Sequence, residues 1–254
     1  MKLVGLALMA PVVVLGALLA IPELEWYASE FHFYIVSAAS LLSAVLCGIL
    51  VLSARSIRET RILFLALSFM ALATIFAVHG LTTPGHFYHE PSAVLEASPW
   101  AATFMAAALS ALSVITIRGL ADEHGVQLPR LVFGTATAVF GVIFGVSLAF
   151  PNWLPWLPPD SEAVKDGLSA IIVGMFLFAA WRYYQSYLLA RLASQLAMVV
   201  GLVLLAEAQL SLGLSEPWYW SWWEYHGLFL LAFGAILIGW AWEYRRSNGV
   251  EAIA

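Results

Sequence analysis

The sequence predicts an all-α, polytopic membrane protein, a bundle of eight transmembrane helices with both termini in the cytoplasm. Three observations carry this expectation. Of 254 residues, 62% are hydrophobic and only 11% charged, whereas soluble domains carry roughly 25% charged residues. The apolar residues fall in long blocks, each near the length a helix needs to cross about 30 Å of hydrocarbon. Lysine and arginine collect in alternate loops. Lipid offers no hydrogen bonds, so the backbone of each block must bond within itself as helix. The short alternating segments of a membrane barrel are absent.

The expected spans are 3–21, 31–53, 62–81, 98–118, 131–150, 165–184, 191–213 and 220–243, within a single membrane domain, 1–254. The first span follows Lys2, contains Pro11 and has the look of a signal peptide. Leu18-Leu19-Ala20 makes a poor cleavage site, so it reads as a retained anchor. The second holds Cys47, the only cysteine, a small apolar side chain that excludes any disulfide framework. The fifth carries Gly141 and Gly145, a small-xxx-small pair that serves helix packing or a homodimer seam. Between the fifth and sixth spans, 151–164 has too many prolines for a helix interior and reads as an interfacial loop.

One set of loops holds Arg55, Arg58 and Arg61, then Arg118 and Arg130, Arg182 and Arg191, and Arg245 and Arg246. The other set has Lys165 as its sole basic residue among Glu23, Glu25, Glu30, Glu90, Glu96, Asp160, Glu162, Asp166 and Glu216. Basic loops stay cytoplasmic, which places both termini inside and makes this a multi-pass protein of the inner membrane, with lipid as its first partner. The net charge is −5, and no basic tract suggests nucleic-acid binding. Tryptophan gathers on the opposite side: Trp26, Trp100, Trp153, Trp156, Trp218, Trp220, Trp222 and Trp223. Such rings favour the headgroup level, but the run 218–223 is denser than a belt needs and is suited to walling a pocket.

Histidines mark the same outer, periplasmic rim. His32 opens the second span, His79 closes the third, His86 and His89 follow in a loop turned by Gly80, Pro84 and Gly85, and His226 lies about two turns into the last. Glu207 sits at a similar depth in the seventh span, where a carboxylate costs about 2–4 kcal/mol unless paired, hydrated or protonated. Neutral imidazole is the common ligand of zinc and copper, and carboxylate a frequent fourth. The expected metal ligands are therefore His32, His79, His86, Glu207 and His226, with Glu30 or Glu224 orienting an imidazole. His124 falls on the basic side and is excluded. Haem is the alternative cofactor, held by two histidines such as His79 and His226, with Gly80 and Gly227 leaving room for the ring. No short-range metal spacing, nucleophile elbow or phosphate loop is present.

Phe31-His32-Phe33, Val78-His79-Gly80-Leu81-Thr82-Thr83-Pro84-Gly85 and Trp242-Glu243-Tyr244-Arg245-Arg246 together resemble the N-terminal membrane modules of bacterial signalling proteins of the cyclase and histidine-kinase type. They are similar in style to the seven-helix sensor family named for a Met-His-Tyr-Thr motif, although that tetrapeptide is missing here. The resemblance implies rim ligands at His32, His79 and His226, and an output passed through the last helix. The tail 247–254 is too short for a catalytic domain, so either a cytoplasmic output domain is expected in a partner chain or a missing segment, or the chain is not a sensor.

The leading expectation is a membrane sensory or ligand-binding module with a metal or haem site at its outer rim, rather than an enzyme. An integral-membrane metal-dependent hydrolase, with Glu207 or Glu224 as base, is one alternative. A cofactor-binding subunit of a larger membrane complex is another.

Overall fold

The computed structural model describes residues 2–21, 24–54, 60–115, 127–153 and 161–251. Among these residues there are eight helices: α1 (Lys2–Leu19), α2 (Ser29–Ala54), α3 (Thr60–Leu81), α4 (Ala93–Val114), α5 (Gln127–Ala149), α6 (Glu162–Ala190), α7 (Ala193–Leu214) and α8 (Trp220–Glu251). Among the described residues there is no strand, only two isolated bridges. Seven of the helices, α2 to α8, are long and apolar enough to cross a membrane. The described apolar part of the first, Leu8–Leu19, is shorter. Arg55, Arg58, Arg118, Glu23, Asp160, Trp156 and His124 lie outside the described residues.

Of the boundaries that differ from expectation, three have a local reason. α4 begins at Ala93 instead of 98 because the Ser92 hydroxyl caps it, accepting from Leu95 N–H at 3.2 Å. Pro99 therefore falls inside the helix. α6 runs on to Ala190, since nothing in 184–190 breaks a helix. It ends where Arg191 turns left-handed at φ 56°. α8 continues past 243, and the Glu243 carboxylate accepts from the Ala193 N–H that opens α7, at 2.6 Å.

The chain divides into two compact units, Ala28–Ile172 and Met1–Tyr27 with Val173–Ala254. In the first, α3 packs against α2, α4 and α5. Serines join the helices. Ser40 and Ser43 of α2 donate to the carbonyls of Ala73 and Phe69 at 2.7 and 2.9 Å, and Ser68 donates to Ala106 of α4 at 3.0 Å. In lipid, apolar side chains gain little by meeting one another, and such polar contacts with close packing draw helices together. Loop 151–153 pins the start of α4, with the Pro151 carbonyl accepting from Val94 N–H at 3.0 Å. Gly141 and Gly145 of α5 face open space.

In the second unit α7 and α8 are the principal pair. Gly201 lies against Ile236 and Gly239 against Ala197, so closely that a methyl group at either glycine would overlap its neighbour. The segment before α2 pairs with the α7–α8 connection: Trp26 N–H donates to Trp218 at 2.8 Å and Trp220 N–H to Leu24 at 3.0 Å. Trp26 stacks on Trp220 with ring centroids 5.4 Å apart, and Trp223 Nε1–H donates to the Trp26 carbonyl at 3.0 Å. Trp222 and Trp223 are buried. These tryptophans hold two segments together, which explains a density greater than a belt requires.

Candidate metal centre

His32 lies in the first turn of α2 and His79 in the last turn of α3. Both rings are buried, at 2% and 3% exposure. Their Nε2 atoms are 3.2 Å apart, with the rings nearly perpendicular at 88°. Of the expected ligands in this unit, these two are the ones brought together.

Each ring is held by its other nitrogen. Nδ1 of His79 lies 2.9 Å from the Leu95 carbonyl and 3.0 Å from the Ser98 hydroxyl. A carbonyl oxygen can only accept, so Nδ1 carries the proton and Nε2 of His79 presents a bare lone pair. Ser98 also donates to Leu95 O, at 3.1 Å. That carbonyl is free to serve both because the residue four positions on is Pro99, which has no N–H to return to it.

Nδ1 of His32 lies 2.9 Å from Thr83 Oγ1. Thr83 belongs to the cap of α3. Its hydroxyl donates to the His79 carbonyl at 3.2 Å, and Thr82 Oγ1 reaches Val78 O at 2.9 Å and His79 O at 3.2 Å. These contacts occupy carbonyls that every helix leaves open at its C-terminus. Pro84 and then Gly85, at φ 100°, turn the chain away, and Gly85 N–H donates to Tyr88 O at 2.8 Å. When Thr83 donates to His79 O, its oxygen accepts from His32 Nδ1–H. The second Nε2 lone pair then faces the first.

Two bare nitrogens at this separation repel unless a cation or a proton lies between them. The spacing fits a metal ion. Ligands about 2.05 Å from a common zinc at the tetrahedral angle are about 3.3 Å apart. Backbone carbonyls and hydroxyls bonded to the far nitrogen are the customary support of metal-binding imidazoles. A haem on His79 would have to displace His32, because the porphyrin must lie flat against the ligating nitrogen. Gly80 is used elsewhere, packing against Val36 of α2.

The remaining candidates of this unit are placed differently. His86 is exposed, its ring against Phe33 of α2 with centroids 4.2 Å apart. The loop thus folds back onto α2, but His86 does not join the pair. His89 and Glu30 are exposed. His226 belongs to the other unit, buried at 3% exposure against Tyr225, Trp222 and Trp223, with centroids 3.7, 4.5 and 5.3 Å away. Glu207, 7% exposed, is in that unit too and lies near enough to Glu224 for their charges to interact. Buried Oε2 atoms of Glu207 and Glu224, and the Tyr225 hydroxyl, have no hydrogen-bond partner among the described residues.

Sequence reasoning missed Thr83, Ser98 and the Leu95 carbonyl. One signal was available: a proline inside an apolar span exposes the carbonyl four residues before it, and a nearby donor is then needed. The chain matches no family model, no curated protein and no solved structure.

Proposed function

We propose that this chain is a metal-binding module of the cytoplasmic membrane, in which His32 and His79 hold a transition-metal ion through Nε2. The observation that carries the reading is the 3.2 Å approach of two buried Nε2 atoms whose opposite nitrogens are both engaged. Imidazole suits zinc and copper among the available ions. The loop charges favour cytoplasmic termini, which puts this end of α2 and α3 on the outer side.

A ligand-binding or sensory role suits the pair better than hydrolysis. The groups bonded to the far nitrogens of the two rings, Thr83, Ser98 and the Leu95 carbonyl, are neutral, and none of them can serve as a base. The ion would tie the start of α2 to the end of α3. A signal would arise if the bound and unbound arrangements of these helices differ in affinity for it. Any output would pass to a cytoplasmic partner. The sequence nominates His226 for a further coordination position, and His226→Ala tests that separately.

The experiment is elemental analysis and zinc titration of the full chain purified in detergent. About one zinc or copper per chain is expected, lost in His32→Ala/His79→Ala. Full metal content in that double variant would overturn the proposal.

A further inference from the structure

The hydroxyl of Thr83 sits between two groups that can each take its single proton, His32 Nδ1 at 2.9 Å and the His79 carbonyl at 3.2 Å. We propose that Thr83 is the positioning residue that sets the tautomer of His32, and that metal binding reverses it. This rests on the metal-binding reading of the pair.

His79 has no such choice. The Leu95 carbonyl accepts from its Nδ1, so its Nε2 lone pair always points at His32. Without an ion, the contact between the rings needs a proton. His32 supplies it from Nε2, donating to His79 Nε2 across 3.2 Å. Nδ1 of His32 is then bare and accepts the Thr83 hydroxyl proton, while the His79 carbonyl keeps its bond from Thr82 at 3.2 Å.

With an ion, both Nε2 lone pairs are required. The His32 proton is then carried on Nδ1 and donated to Thr83 Oγ1, and the Thr83 proton turns to the His79 carbonyl. The proton count of the pair does not change. One proton leaves Nε2 of His32 and one is gained at Nδ1 of the same ring by exchange, and one hydroxyl rotates. Two neutral imidazoles therefore take up the ion without net proton release, whereas metal sites assembled from protonated ligands release protons.

The test is nitrogen NMR of the full chain, labelled with ¹⁵N-histidine in micelles, with and without zinc, assigned with single His→Gln variants. Without zinc, His79 is expected as the Nδ1–H form and His32 as the Nε2–H form. With zinc, both are expected as Nδ1–H with displaced Nε2 resonances. If His32 is already Nδ1–H before zinc is added, the switch is overturned while the metal site stands. If zinc displaces neither Nε2 resonance, the site itself falls.

Affinity supplies the second arm. Thr83→Val should weaken zinc binding 10- to 100-fold, the usual effect of losing a group bonded to a ligating imidazole. Thr83→Ser should restore it. Equal affinity in all three forms would overturn the role of Thr83, and the serine variant with the spectra decides the matter even if the valine variant fails to fold.

Discussion

Pro99 and His79 are linked through one carbonyl: Leu95 O, which a helical N–H at position 99 would occupy, instead accepts from His79 Nδ1 at 2.9 Å. A helix defect in α4 thereby fixes the orientation of a ring on α3. Proline in a helix interior costs about 3 kcal/mol relative to alanine, and here the defect supplies the acceptor that a buried imidazole needs.

Pro99→Ala is expected to move stability and metal binding in opposite directions. The restored N–H would compete for Leu95 O, straightening α4 and raising the thermal midpoint. The gain in stability should be about 1–3 kcal/mol, less what His79 loses as its bond weakens. Zinc affinity should fall about tenfold as the ring loses its anchor. Thermal unfolding and zinc titration on the same preparation check both signs. A variant with unchanged affinity would show that the carbonyl does not position His79.

Much of the fold was legible because bilayer thickness and backbone hydrogen bonding leave few options for apolar blocks of this length. All eight expected helices are present, and seven are long and apolar enough to span. The start of α4 was misread because Glu96 and Pro99 lower the apolar signal, while the cap at Ser92 is a local feature that hydropathy does not register. At the site, helix ends alone sufficed to nominate His32 and His79. The groups that orient them were barely legible: two are common hydroxyls, and one is a backbone carbonyl marked only by Pro99 four residues on. His86 was nominated by proximity along the chain, but its ring lies on Phe33.

Serine bonds between helices should each contribute modestly. Ser43 is fully buried and donates to Phe69 O at 2.9 Å. Ser43→Ala removes the bond but leaves a small residue that still allows close approach. The expected loss is about 0.6 kcal/mol, the average for polar contacts within a membrane protein. Unfolding in mixed micelles measures it. A loss above about 2 kcal/mol would show that the α2–α3 seam depends on this one hydroxyl.

The glycines of α8 should separate sharply. A methyl group at Gly239 would collide with Ala197 of α7, whereas one at Gly227 would meet nothing within 4 Å. Gly239→Ala is expected to lower stability by about 1–3 kcal/mol through overpacking. Gly227→Ala should be neutral or slightly stabilising, since alanine is the better helix former. Comparable losses at both positions would contradict the close α7–α8 seam. A visible haem band in the parent protein, lost in Gly227→Ala, would instead revive a haem site that uses this glycine.

Glu207 carries the opposite expectation from the histidines. It is 7% exposed, its Oε2 has no partner among the described residues, and Glu224 lies near enough to act on it. Two carboxyl groups in apolar surroundings repel when both are charged, and an unsatisfied buried polar atom costs about 1–3 kcal/mol. Glu207→Gln removes one charge, keeps the size, and adds an amide N–H that can donate to Glu224. The expected outcome is a thermal midpoint equal to or above that of the parent, with zinc affinity unchanged. A clear loss of zinc would instead place the Glu207 carboxylate among the ligands. A clear loss of stability with zinc intact would mean that the carboxylate holds a bound water or cation inside the α7–α8 unit.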